Sequence, residues 1–210
     1  MNKVAFFGFL FVLQLLFLGC AVNNRYDYNN ANIALPIKGN SEISLSVIDN
    51  RSYVVSGEKS SNFIGLQRGG FGNPFEVTTA SGEPLAKVFV RSLDSALSNN
   101  GFLVTKLYLS SRDLLGIADV IKRDGRQKNI VITINEWKTD AMYKFRLVYD
   151  LHLSVFDGHG ELLARANDHG DEVISGAGFE GGNSRNAAAA FETKISRLFN
   201  THQIQDIFNL

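Results

Sequence analysis

Residues 142–156 read M-Y-K-F-R-L-V-Y-D-L-H-L-S-V-F and contain the clearest structural pattern in the sequence. The odd-numbered positions from Tyr143 to Val155 are all aliphatic or aromatic, whereas most even-numbered positions are polar. Alternation of this kind predicts a β-strand with one buried face and one face in water. The turn sequence D-G-H-G at 157–160 predicts a hairpin, so residues 161–174 should return as an antiparallel partner. A third strand is predicted at 130–137.

A β–α–β unit is predicted upstream of these strands. Residues 43–48 alternate as a first strand, and the apolar positions from Leu85 to Leu97 have the spacing of one helix face. Pro84 in the first turn and Asn100-Gly101 at the end bound this helix, and 102–104 starts a strand parallel to the first. Helices are also predicted over 111–122 and from about Ser184. The predicted fold class is α+β: a mixed, mostly antiparallel sheet with a β-α-β start and helices packed on one face.

Two glycine-rich stretches, 57–72 and 175–182, are candidate binding loops. The first belongs to a connection from Tyr53 to Ser81 that is unusually long for a compact domain. Either a hairpin forms around 62–66, or the connection is a mobile binding loop, and the sequence leaves both alternatives open.

The composition describes one domain with no strong overall charge. The chain has 210 residues, of which 45% are hydrophobic and 20% charged, and 21 Lys and Arg balance 21 Asp and Glu. This balance argues against a nucleic-acid partner. A single cysteine excludes an intrachain disulfide framework and a cysteine-rich metal site.

The first twenty residues indicate export. Lys3 precedes an apolar run from Val4 to Gly19, which is shorter than the roughly 20 residues that a membrane-spanning helix needs. The run ends in L-F-L-G-C at 16–20, which resembles the lipobox of bacterial lipoproteins. That resemblance implies removal of a signal peptide at 1–19 and lipid modification of Cys20. Because Ala21 and not Asp follows the cysteine, it also implies an outer-membrane location facing the periplasm. Residues 20–40 are then expected to form the lipidated cysteine and a flexible tether, and 41–210 a single periplasmic α+β domain.

A D-x-R motif ends the first strand at Asp49 and Arg51, and Ile64-Gly65 follows in the long connection. The order of lipobox, D-x-R, I-G, amphipathic helix and antiparallel strands resembles the YajG-like family of uncharacterised bacterial lipoproteins. The resemblance implies a fold and a location and no reaction. Asp49, Arg51 and Gly65 are the candidate binding residues. The alternative, which we favour, is an ion pair or strand-end cap that fixes the long connection.

The patterns that suggest catalysis are weak. Residues 176–181 match G-x-G-x-x-G, but no further strand follows to complete a dinucleotide fold. His159 and His169 lie near Asp168 and Asp171 without a metal-ligand spacing. The sequence therefore predicts no enzyme, no catalytic residue, no metal and no cofactor.

Three functional hypotheses follow. The first is a non-catalytic binding or adaptor module, attached to the membrane by its lipid, with an envelope protein or the cell wall as partner. The second is a small-ligand or peptidoglycan-fragment binder with an aromatic cleft formed by Phe71, Phe75, Trp137 and Tyr143. The third is a periplasmic hydrolase centred on His159 or His169.

Overall fold

The alternating stretch forms the middle strand of a long antiparallel ribbon in the computed structural model, which describes residues 24–29, 31–109, 113–176 and 182–208. Eight strands and five helices lie in these ranges. The strands are β1 (Asn24–Tyr26), β2 (Glu42–Asp49), β3 (Phe63–Arg68), β4 (Pro74–Thr79), β5 (Leu103–Lys106), β6 (Lys128–Ala141), β7 (Lys144–Phe156) and β8 (Leu162–Gly176). The helices are α1 (Ser52–Val55), α2 (Leu85–Asn99), α3 (Leu114–Asp124), α4 (Gly182–Phe199) and α5 (His202–Phe208).

The long strand β6 organises the sheet. One of its edges pairs with β7 along nearly its whole length, and β7 pairs in turn with β8, both in antiparallel register. Its other edge is shared by two parallel strands: β2 pairs with it as far as Ile134, and β3 pairs with it from Thr139 to Ala141. Beyond them lie β5 on the β2 side and β4 followed by β1 on the β3 side. The predicted α+β fold with a mixed sheet is confirmed.

The predicted β–α–β unit is present, because β2 and β5 are parallel and α2 connects back between them. The long connection before α2 contains α1 and the antiparallel hairpin β3–β4. The structure therefore shows the hairpin alternative for this segment.

The main core lies on the sheet face covered by α2, α4 and α5. Helix α3 lies on the opposite face, where Ile117 and Ile121 pack against Ile48, Val131 and Phe156. This smaller core departs from the prediction of helices on a single face. It exists because those three strand residues are apolar and lie together on the mostly polar side of the sheet.

The domain begins earlier than the sequence predicts. Residues 24–37, expected to belong to the flexible tether, include a strand and five buried apolar side chains: Tyr26, Tyr28, Ile33, Leu35 and Ile37. Tyr28 is fully buried, and its hydroxyl accepts a hydrogen bond from Trp137 Nε1 at 3.1 Å. The physical reason is that these few apolar side chains suffice to fix the segment, although asparagine is frequent in it.

None of the helices in the described ranges combines the length and the apolar character needed to cross a membrane.

Candidate functional site

The D-x-R motif lies where the shared edge of β6 has no paired strand. Between Ile134 and Thr139, β2 has ended and β3 has not yet begun to pair. The fully buried side chain of Arg51 occupies this gap. Its Nη1 donates hydrogen bonds to the carbonyl oxygens of Phe63 at 2.5 Å and Trp137 at 3.4 Å, and its Nη2 donates to the Ser61 carbonyl at 3.1 Å. The guanidinium therefore joins two strands that do not pair at this point.

Asp49, the last residue of β2, holds the guanidinium in a two-point ion pair. Nε donates to Oδ1 at 2.8 Å and Nη2 donates to Oδ2 at 2.7 Å. Burial by itself would lower the pKa of Arg51, but the hydrogen bonds and negative charge of Asp49 outweigh burial and raise it. Arg51 is therefore a permanent cation, and the planar fork of arginine matches the carboxylate in a way that lysine cannot.

Tyr53 closes the arrangement on one side. Its hydroxyl donates to Glu136 Oε1 at 2.5 Å, and its ring lies edge-on to Phe63 and 5.5 Å from the guanidinium carbon of Arg51. Burial, followed by the hydrogen bond to Glu136, raises the pKa of Tyr53. The phenol is thus neutral and acts as a hydrogen-bond donor.

Gly65 lies at the far side of the same gap, beside Thr139 of β6. Its φ is +152°, and a Cβ at this position would lie 2.1 Å from Thr139 Oγ1 and 2.3 Å from the Thr139 carbonyl oxygen. Only glycine allows β3 to approach β6 this closely. The structure therefore brings Asp49, Arg51 and Gly65 to one place in the fold. Each of the three guanidinium nitrogens of Arg51 donates within the protein, and a ligand-binding role for these residues stays a prediction.

A second charged cluster, absent from the sequence-based predictions, fastens α4 to the sheet. Lys194 is only 2% exposed, and its Nζ donates to Glu172 Oε2 at 2.6 Å and lies 4.5 Å from the ring centre of Tyr149. The Tyr149 hydroxyl donates to Glu172 Oε1 at 2.9 Å. The hydrogen bond from Lys194 is the main cause of a lowered pKa at Glu172. The sequence does contain a sign of this cluster, because Lys194 occupies one of the otherwise apolar positions on the inner face of the helix.

The histidines are separate from both clusters. His152 Nε2 lies 3.1 Å from Asp150 on the exposed face of β7, and His169 lies across from Asp150 on β8. His159 is in the turn between these strands. Within the described ranges, no three His, Cys, Asp or Glu side chains are arranged to hold a metal ion.

The predicted aromatic cleft does not form as expected. Trp137 is fully buried in the main core, whereas Phe71, Phe75 and Tyr143 are exposed. Trp137 points inward because it occupies the buried face of β6, where Tyr28, Phe89 and Phe191 surround it with their ring edges. The four residues therefore cannot line one cleft.

A groove of about 330 Å³ lies between α2 and the sheet edge where β5 ends. Its apolar lining includes Val47 and Val90, and its cations are Lys87, Arg91 and Lys106. Two of these cations are paired: Arg91 with Glu83, and Lys106 with Asp94 at 2.7 Å. Tyr108, which is 76% exposed, completes one wall. Such a surface suits a ligand or peptide that carries both apolar and acidic groups.

Two predictions fall outside the described residues. They are the N-terminal prediction, a signal peptide at 1–19 followed by lipidation of Cys20, and the central part, 177–181, of the second glycine-rich stretch with its G-x-G-x-x-G match.

Comparisons with known proteins establish the fold and no activity. No family model matches the chain, and no curated protein matches it, so the resemblance to the YajG-like family stays a prediction. The chain is similar in structure to protein XCC0632 of Xanthomonas campestris, from family DUF330, with a TM-score of 0.50 and 11% identity over 89% of this chain and 94% of that one.

Two weaker likenesses are to other bacterial proteins. Lipoprotein GNA1162 of Neisseria meningitidis has a TM-score of 0.30 and 11% identity over 76% of this chain and 99% of that one. The PelC dodecamer of Paraburkholderia phytofirmans has a TM-score of 0.43 and 9% identity over 82% and 94%.

Proposed function

We propose that this chain is a non-catalytic binding module of the bacterial cell envelope, anchored to the outer membrane through lipid on Cys20 and facing the periplasm. The observation that carries the proposal is the position of β1. Its first residue, Asn24, is only four residues after Cys20 and already pairs with Val77. A lipid on Cys20 would therefore hold the folded domain directly at the membrane, without a long tether.

The groove beside α2 is the proposed binding surface. Val47 and Val90 offer apolar area. Lys87, Arg91 and Lys106 outnumber the acidic partners Glu83 and Asp94, so the rim carries a small excess of positive charge. An envelope protein with a segment of apolar and acidic side chains would complement both properties, which favours an adaptor role.

Two measurements test these two parts of the proposal separately. Mass spectrometry of the N-terminal peptide from membrane-purified protein should show an acylated Cys20, and Cys20→Ser should abolish both acylation and membrane retention. A mature chain that begins elsewhere, or that carries an unmodified thiol, would contradict the anchor.

For the groove, a photo-crosslinking residue at Tyr108 should give a discrete adduct in intact cells. The same residue at Leu103 is the matched control, since Leu103 is 61% exposed on β5 but outside the groove lining. Equal labelling from both positions, or none from Tyr108, would contradict the adaptor role.

A second candidate function is the binding of a peptidoglycan fragment in the same groove. Its volume of about 330 Å³ is compatible with a small ligand, and the carboxylates of such fragments suit the cationic rim. Muropeptides should then raise the melting temperature of the wild-type protein, and Lys87→Ala/Lys106→Ala should remove the shift.

A further inference from the structure

Three of the four exposed aromatic side chains in the described ranges lie at one end of the sheet. They are Phe71 in the β3–β4 turn, Phe75 at the start of β4 and Tyr143 in the β6–β7 turn; Tyr108 lies elsewhere. Phe71 is fully exposed and Tyr143 is 79% exposed. We name these two turns, 69–73 and 142–143, together with Phe75, the tip end.

The strand register places the parts of the tip end side by side. Gln67 pairs with Phe75 of β4 on one side and with Ala141 of β6 on the other. Ala141 in turn pairs with Phe145 of β7. The hairpin turn with Phe71 and the turn with Tyr143 therefore extend past the same row of the sheet, in the same direction.

The chain enters the domain from this same end. Strand β1 is parallel to β4 and starts at Asn24 beside Val77, so the N-terminal end of β1 faces the side of Phe75. The row of Asn24 is two residues, about 7 Å, behind the row of Phe75. Four residues span at most roughly 14 Å, so Cys20 can reach the level of the tip end.

We infer that the tip end docks on the surface of the lipid bilayer, with Phe71, Phe75 and Tyr143 in the interfacial layer. Aromatic side chains are favoured at this depth, where apolar groups can enter about 5–10 Å. This inference rests on the proposed lipid anchor, because only an anchor within reach keeps these side chains at the membrane.

The charges at the tip end are compatible with docking through apolar groups. Arg68 forms an ion pair with Asp140 at 2.6 Å, and Arg146 forms one with Asp171. These four charges compensate one another, so they do not repel lipid headgroups of either sign. The exposed cation Lys144, next to Tyr143, suits contact with lipid phosphates.

The test uses the acylated, membrane-purified protein in vesicles of phosphatidylethanolamine and phosphatidylglycerol with brominated acyl chains. Phe71→Trp places a reporter at the tip end, and Leu103→Trp places one at the opposite end, at the start of β5. The two ends are separated by the length of β6, about 43 Å. The buried native Trp137 contributes the same background to both variants and is subtracted with the wild-type spectrum.

We expect the emission from position 71 to shift to the blue and to lose intensity in brominated relative to unbrominated vesicles, with no such loss at position 103. Protein that floats with the vesicles but shows equal, unquenched emission at both positions would overturn the docking inference and leave the anchor standing. A blue shift at position 71 without quenching by bromine would assign the tip end to a protein contact and also overturn it. Protein that does not float would overturn the anchor and the docking together.

Discussion

Replacing Arg51 by methionine tests whether its guanidinium holds the divided sheet together. The variant keeps most of the side-chain volume but removes the charge and every hydrogen bond that the guanidinium donates to Asp49, Phe63, Ser61 and Trp137. It leaves a carboxylate that is 12% exposed without its cation. It also takes one donor from each of three carbonyl groups at the gap, of which those of Ser61 and Trp137 keep a second donor, the Leu85 N–H and the Tyr53 hydroxyl.

Removal of one partner of a buried ion pair costs about 3–5 kcal/mol. For a domain of this size, 1 kcal/mol corresponds to about 2–4 °C in melting temperature, so Arg51→Met should lower it by roughly 10 °C. Urea denaturation followed by circular dichroism measures the free energy of unfolding directly. Arg51→Lys should recover little of the loss, because lysine keeps the charge but not the planar fork.

Arg68→Met is the matched control for this substitution. Arg68 also forms a two-point ion pair with an aspartate, Asp140, but the two side chains are 36% and 32% exposed. Solvent screens that pair, so its loss should change stability far less. If Arg51→Met proves no more destabilising than Arg68→Met, the buried guanidinium does not hold β2 and β3 to β6.

Two further predictions concern pH and backbone fit. Lys194 lowers the pKa of Glu172 in the folded protein, so the stabilising contribution of Glu172 is present above the ordinary value of 4.5 and is lost as the pH falls through the lowered value. The urea midpoint of Glu172→Gln should therefore lie below that of the wild type at neutral pH, and the two midpoints should converge in acid. A difference that stays constant with pH would contradict this. Gly65→Ala should lower the free energy of unfolding by about 2–4 kcal/mol, because the added Cβ meets Thr139. Gly70→Ala is the control: no atom lies within 4 Å of its Cβ, so it should be nearly neutral in the same urea titration.

Local patterns in the sequence identified most of the individual elements. The alternation from Tyr143 to Val155 predicts β7, because a strand with one wet face needs that period. The apolar spacing after Pro84 predicts α2, and the turn at 157–160 predicts the β7–β8 hairpin. The pattern is wrong at one position. Tyr143 belongs to the alternating residues that are predicted to be buried, but it lies in the turn before β7 and is exposed.

Only the tertiary structure decided how the edge of β6 is divided. The sequence places Asp49, Arg51 and Gly65 near one another along the chain, but it cannot show that β2 and β3 use different halves of the same strand. Strand register depends on contacts between residues far apart in sequence, such as Arg51 with Trp137. The same reason explains why residues 24–37 appeared to be a tether, since the partners that bury Tyr28 lie on β6, α2 and α4. A local pattern records which side chains avoid water, and only the folded chain shows what they pack against.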